Sequence, residues 1–368
     1  QLEILRALNK LIASGDLPKP RRTIYFLWPV EISGTYQFIR EHPGFADKLS
    51  ANINMDMVGE WLRKNNGVMT MSECPDHLPC YLDGLAKSVM NYVWRTNDIV
   101  YLPDAPRGRP GGQYFPRPMV EKNGSTDAFR FFIHRATGGS DHVCFNNPSV
   151  GVPGVELFTW PDQWYHADTD TPDKADSTQM KRVGFIGAAM AWVAANAADD
   201  VVAPLADAVS EFGYSRVAER DVPRALALVE NADAAGLEAA MAKALIIADF
   251  AVDREIGALR SIEDIYTGTP PAKTAVNNKV QQWELYRAGL KGQVVGFARL
   301  RATQVTPAQA GKGKPTVKPL TEPALTLAEK KYDAVIPRLE ASVKGREFSL
   351  NSYQKYAAYL KASPDALK

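Results

Sequence analysis

The 368-residue sequence has little of what would tie a protein to a disulfide scaffold, a nucleic acid or a membrane. It holds three cysteines, too few for a disulfide framework and without the CxxC spacing of a zinc finger. It lacks an excess of either charge: 43 Lys and Arg stand against 42 Asp and Glu, a formal net charge of +1. That balance leaves no electrostatic case for nucleic acid or an anionic surface. No apolar run reaches the roughly eighteen residues a bilayer span needs. The first residues, Gln1-Leu-Glu-Ile-Leu-Arg6, open an amphipathic helix pattern rather than a basic-then-apolar signal. We therefore expect no nucleic acid and no membrane among the partners. At 45% hydrophobic and 23% charged, the chain can bury one large core or two moderate ones, and its length favours two domains. Cys74 and Cys80 flank Pro75-Asp-His-Leu-Pro79, a turn short enough to be bridged. A disulfide there would imply an oxidising compartment.

What is present is a set of short apolar runs ending in polar groups. Leu2, Leu5, Leu8, Leu11 and Ile12 recur at helical spacing until Gly15, Pro18 and Pro20 close the segment. Arg21-Arg-Thr-Ile-Tyr-Phe-Leu-Trp28 reads as a strand buried on both faces, being nearly continuous in apolar and aromatic residues. Glu31 follows its carboxyl end, where open α/β sheets bind ligands; it also stands where a helix cap would. A second helix, through Tyr36 and Phe38, leads to Leu49-Ser-Ala-Asn-Ile-Asn-Met-Asp56-Met-Val-Gly59, another short strand ending in an acid and a glycine. One such acid is an ordinary turn former; two at neighbouring strand ends, with a histidine at a third, point to chemistry.

Residues 60–137 say less. A helix is expected from Tyr81 to Trp94. The Pro-, Gly- and Arg-rich stretch from Leu102 to Gly112 is a loop, whether pocket wall or plain connection. Residues 128–134 resemble a strand, with His134 at its end in a structural role. Then comes the densest stretch: Gly138-Gly-Ser-Asp-His-Val-Cys-Phe145, Gly151-Val-Pro-Gly154, and Trp164-Tyr-His-Ala-Asp-Thr-Asp-Thr171. Residues 151–159 form a strand between them. His166 is followed by Asp168 and Asp170, and an imidazole that holds a metal with one nitrogen has the other oriented by an acceptor. The Ala-rich helix over 179–198, with Gly184 and Gly187, is expected to pack closely on the sheet.

Asn54-Met-Asp56-Met-Val-Gly59, Gly139-Ser-Asp-His142 with Phe145, and Tyr165-His166 with Asp170-Thr171 together resemble the zinc aminopeptidases of the M28 metallopeptidase family, over about residues 1–198. The resemblance implies an α/β fold whose mixed, mostly parallel sheet is sandwiched by helices, with two zinc ions bridged by a water at its carboxyl edge. It implies Asp56 as a terminal ligand of one zinc, His166 as a ligand of the other, and a Tyr165 hydroxyl donated to the tetrahedral oxyanion. Glu31 stands where the family has an adjacent pair of glutamates, so a single residue is left to be general base or metal ligand; we take it as the base. The family's upstream metal-binding His and bridging Asp precede the first helix. Residues 1–12 match that helix, so we expect the chain to be the carboxyl-terminal part of a longer protein, with the missing N-terminal segment as a partner that completes the site. Peptide is the expected substrate, and the family habit of secretion suggests a secreted or periplasmic location.

From 199 the pattern changes to amphipathic helices over 201–212, 222–231, 235–262, 276–300, 325–343 and 352–362. Breaks such as Thr267-Gly-Thr-Pro-Pro271 and the lysine-rich stretch around Gly311 to Lys318 separate them. We expect a catalytic domain over 1–198 and an all-α helical domain over 199–368. Trp283 and Tyr286 are core candidates, and the helical domain could cover the cleft or offer a homodimer surface. Beside the leading reading, a metal-dependent exopeptidase acting on the amino-terminal peptide bond, stand two others. One is a single-zinc enzyme like the glutaminyl cyclases; the other is a catalytically inactive binding protein on the same scaffold.

Overall fold

The computed structural model describes residues 1–101 and 119–305, with the backbone alone for 98–101. In chain order, helix α1 (Leu2–Ala13) and α2 (Ser33–Glu41) precede strand β1 (Asn52–Met55) and the single turn α3 (Leu62–Asn65). Strand β2 (Val68–Ser72), helix α4 (Leu82–Tyr101), strand β3 (Phe131–His134), the short α5 (His142–Asn146) and strand β4 (Gly154–Trp160) follow. Helix α6 (Ser177–Asn196) then leads into α7 (Asp199–Arg216), α8 (Val222–Glu230), α9 (Leu237–Arg260) and α10 (Pro270–Gln304). The four strands form one mixed sheet in the order β1-β4-β2-β3. β4 runs parallel to β1 and antiparallel to β2, and β2 runs parallel to β3. A mixed sheet with helices, then a helical region, is the expected fold class.

Successive strand residues point to opposite faces, and the two faces here differ in kind. One carries Ile53, Met55, Met69, Met71, Val155 and Leu157, which join the main buried cluster with residues of α4 and α6 such as Leu82, Met90, Val183 and Ile186. Met69, Met71, Val155 and Leu157 are completely buried, each stabilising the fold by about 1.5–3 kcal/mol. α6 can lie this close because Gly187 has no side chain: a Cβ there would stand 2.7 Å from the Met55 sulfur. Gly84 does the same for α4 on α7, where a Cβ would meet the Val209 Cα at 2.5 Å.

The helical region joins the same core. Trp283 of α10 is fully buried and stacks on Tyr214 of α7 with ring centroids 4.2 Å apart, and Tyr286 packs edge-on to both. A buried ionic network fastens it to the sheet. Arg216 of α7 forks onto Glu255 of α9 at 2.7 and 3.0 Å and reaches Asp83 of α4 at 2.9 Å. Arg220 reaches Glu73 just past β2 at 3.0 Å, and Arg254 holds Asp221 at 2.6 Å. Burial opposes ionisation of Asp76, but Arg254, Arg220, Arg216 and Arg135 outweigh it and hold its carboxyl down at about 2.

Three expectations need correction or placing. Residues 21–28 are extended but form no ladder: Arg22 donates its N–H to the Ala195 carbonyl, and no other backbone–backbone bond joins this segment to the rest of the described residues. Nor is it buried on both faces, since Tyr25 is 52% and Trp28 59% exposed. An apolar run forms a buried strand only when a neighbouring strand meets its edges, and none of the described residues does so here. Cys74 and Cys80 are buried free thiols rather than a disulfide; burial, with Cys80 and Asp83 alongside, pushes the Cys74 thiol well above its ordinary range. The loop from Leu102 to Gly112, the stretch from Gly311 to Lys318 and the helices expected over 325–343 and 352–362 lie outside the described residues.

Candidate active site

The second face of the sheet is polar. Asn54, Glu156, Ser72 and His134 fall on partnered positions of β1, β4, β2 and β3, so that one row crosses the whole sheet. The segment leading into α5 covers it residue by residue. Asn54 donates its side-chain amide to the Ser140 hydroxyl at 2.8 Å. Thr137 donates its N–H to the Ser72 hydroxyl at 2.9 Å. His142, fully buried, sets Nε2 2.7 Å from the Thr137 carbonyl and 3.6 Å from the Glu156 carboxylate. A ring nitrogen that close to a carbonyl carries the proton, so the tautomer is fixed. Nδ1 is buried and has no partner among the described residues, while burial holds the imidazole below its ordinary pKa against Thr137, Asp141 and Asp56.

Asp141 brings the first acid into the same place. Its Oδ1 accepts the Ile32 N–H and the Thr35 hydroxyl, both at 2.7 Å. Ile32 sits at positive φ, 53°, a conformation L-residues rarely adopt without such support. The bracket fixes the turn that carries Glu31 immediately ahead of α2. The Gly-Gly-Ser-Asp-His stretch therefore acts as the clamp of this site.

Asp56 continues β1 by one residue, bonding its N–H to the Leu157 carbonyl. It shares the polar face with Asn54, two residues before it. Glu156, which the sequence reading passed over, is the residue on which these groups converge: burial first, then Asp56 and Glu31, push its carboxyl up to about 8. Acids cannot all ionise at close quarters in a poorly solvated place. The only signal in the sequence was an acid inside an apolar strand, Val155-Glu-Leu157.

Tyr165 and His166 lie in the loop after β4, beyond the same end of the sheet. Asn65, itself buried, fastens that loop by donating to the Pro161 carbonyl at 3.0 Å and accepting the Gln163 N–H at 2.9 Å. Trp160 packs edge-on to Tyr165, and the Tyr165 and His166 rings stack 3.8 Å apart. His166 has φ 55°, and both side chains are exposed. The structure thus groups Glu31, Asp56, Asp141, His142 and Glu156. It leaves Tyr165 and His166 on a neighbouring loop, with no hydrogen bond or ion pair to Glu31 or Asp56 among the described residues. Asp168 and Asp170 make no ion pair with His166, and His134 is at the far edge of the row with Nδ1 on the Arg135 carbonyl.

Carboxylate and imidazole donors are of the right kind for zinc, and mutually repelling acids are what a cation relieves. They are short in number: among the described residues no group of three His, Cys, Asp or Glu side chains is arranged to hold a metal. A two-zinc centre is therefore not built by these residues alone. No helix among the described residues is long and apolar enough to cross a membrane.

A family model described as Peptidase family M28 matches residues 1–191. No curated protein and no solved structure matches the chain.

Proposed function

The chain belongs to peptidase family M28, whose members are metal-dependent peptidases, and on that premise we propose that it serves a zinc exopeptidase that cleaves the amino-terminal bond of peptides. The observation that carries the reading is the delivery of Glu31 and Asp56 to one end of the sheet, close enough for both to raise Glu156. In this reading Asp56 and His166 are metal ligands, one to each of two zinc ions, the remaining ligands coming from outside the described residues. Bound metal would supply the positive charge that makes water a nucleophile near neutral pH.

The chain's own residues have separate tasks. Glu31, held by the Asp141 bracket, takes the proton of the attacking water and returns it to the departing amine; a positioned base of this kind contributes about 10²–10⁴-fold. Tyr165, half exposed at the loop tip, donates its hydroxyl to the developing oxyanion, a contribution of about 3 kcal/mol in comparable sites. The fixed tautomer of His142 and the Asn54–Ser140 bond hold the strand ends on which Asp56 and Glu156 stand.

Elemental analysis for zinc, with aminoacyl anilide hydrolysis assayed alongside, tests this in the full-length natural protein. We expect two zincs per chain and turnover. Glu31→Gln should lower kcat by about 10²–10⁴-fold at unchanged zinc content; a matching loss of zinc would make Glu31 a ligand instead of the base. One zinc per chain would favour a cyclase-like transferase, and none would favour a binding protein.

A further inference from the structure

A polar cavity of about 340 Å³ lies beside the first turn of α6, with Trp61, Arg63, Asn123, Thr126, Asp127 and Ser177 in its lining. Its size is that of a small-molecule site, and none of these residues has a task in the peptidase reading. Three short segments meet there, 61–63, 123–127 and 175–177, and each is fastened. The turn at 123–127 lies so close against α6 that a Cβ on Gly124 would stand 2.3 Å from the Thr178 hydroxyl oxygen. Asp176, buried at the head of α6, accepts the Ser125 N–H at 2.8 Å and the Ser125 hydroxyl at 2.7 Å, besides the N–H groups of Thr178 and Gln179. Trp61 donates its indole N–H to Asp127 at 2.8 Å. Bonds among its own walls thus hold the cavity in shape.

The lining also says what kind of ligand fits. Its charged groups are already answered: Asp176 by the donors just named, and Asp127 by the indole on one oxygen and by Arg63, 3.9 Å from the other. Neither an anion nor a cation would find an unanswered counter-ion. What remains open is neutral. The Ser177 hydroxyl is buried with no partner among the described residues, and Asn123 and Thr126 are exposed. Hydroxyls and amides both donate and accept, so a ligand that answers several of them at once is rich in groups that do the same. Walls gathered from three segments around one place suit a ring better than an extended peptide. The cavity also adjoins the candidate active site. Residues 59–61 run on from Asp56, and 174–176 run on from the loop of Tyr165 and His166. A bridge between Glu60 and Ala175 joins the two runs, with Trp61 donating its N–H to Lys174 at 2.7 Å and Asp176 to Gly59 at 2.8 Å. A ligand that touches Trp61 and Ser177 together stiffens that seam.

We propose that this cavity binds a neutral mono- or disaccharide through Ser177, Asn123, Thr126 and the Arg63–Asp127 pair. The binding site stands on the cavity and its chemistry; its influence on turnover, through the seam between the runs from Asp56 and His166, rests on the peptidase reading.

Saturation-transfer NMR and calorimetry on the full-length natural protein test it, with maltose, cellobiose, lactose and di-N-acetylchitobiose as saccharides and with inorganic phosphate, calcium and tetra-alanine as competing chemistries. At least one saccharide should bind. Asn123→Ala combined with Ser177→Ala should weaken it by at least about tenfold without moving the unfolding midpoint, because the Ser177 hydroxyl has no partner to lose and Asn123 is exposed. Thr126→Ala, also at an exposed position, should weaken it by a smaller factor. Silence of every saccharide overturns the proposal, and so does binding that these variants leave unchanged, which would put the sugar elsewhere. Phosphate, calcium or tetra-alanine bound at these residues in place of a saccharide overturns it as well. Saccharide binding in a protein without zinc or anilide hydrolysis would keep the site and sink the peptidase reading; hydrolysis with no saccharide bound would do the reverse. Where both occur, saturating saccharide should shift kcat or KM in the native protein and not in the double variant; unchanged values in both would remove the link between the two sites.

Discussion

Asp141 shows how much one carboxylate can decide at the scale of a residue. It is the acceptor for both the Ile32 N–H and the buried Thr35 hydroxyl, so Asp141→Ala leaves two enclosed donors without a partner. We expect a loss of about 1–3 kcal/mol in urea unfolding. Activity should fall further than stability in the protein able to turn over, because the Glu31 turn is released; Asp141→Asn, which keeps an acceptor oxygen, should recover most of the stability. Trp283 makes the opposite kind of contribution. It is wholly buried against Tyr214 and Tyr286, and Trp283→Ala should cost about 3–5 kcal/mol with no change in KM.

Pairs of elements that share the apolar core are also joined by charge. Arg216 reaches acids on α4, on α9 and behind β2, so one side chain holds three elements. Arg216→Met should destabilise the chain by about 3–5 kcal/mol, the penalty of leaving Glu255 and Asp83 buried without their counter-ion. Asp76, paired with Arg220, Arg254 and Arg135, gives the same network a pH dependence. Its folded carboxyl titrates at about 2, below the ordinary 3.8, so its contribution is full above about pH 4 and is lost as pH falls toward 2, roughly 2 kcal/mol in all. Denaturation midpoints measured from pH 5 to pH 2 should fall steeply at the acid end, and less steeply in Asp76→Asn.

Taken whole, the molecule does not divide cleanly at residue 198. The main buried cluster runs from Met69 and Leu82 through Leu205 and Val209 to Trp283 and Leu290. Cutting at 198 would expose the outer face of α4 and leave Glu73, Asp76 and Asp83 without their arginines on α7 and α9. Residues 1–198 alone should therefore unfold without a cooperative transition, or aggregate on expression. A sharp transition with native-like near-UV circular dichroism would show that the helical region is dispensable to the fold.

Strands β1 and β4, the close-packed helix over Gly187 and the helices between 199 and 304 were legible in the sequence because each rests on local periodicity or on a turn signal. So was the clamp motif, although its job was not: that Asp141 brackets the Glu31 turn depends on a contact 106 and more residues away. Central strand β2, Val68-Met-Thr-Met-Ser72, escaped notice although Met69-Thr-Met-Ser72 alternates, because the run is only five residues long and carries a single β-branched apolar residue, Val68. Glu156 escaped because its meaning lies in the acids that β1 and the α2 turn bring beside it. Segment 21–28 shows the converse. Its composition determines an extended apolar segment, but a strand is a property of a pair, and whether it has a neighbour is decided by tertiary structure alone.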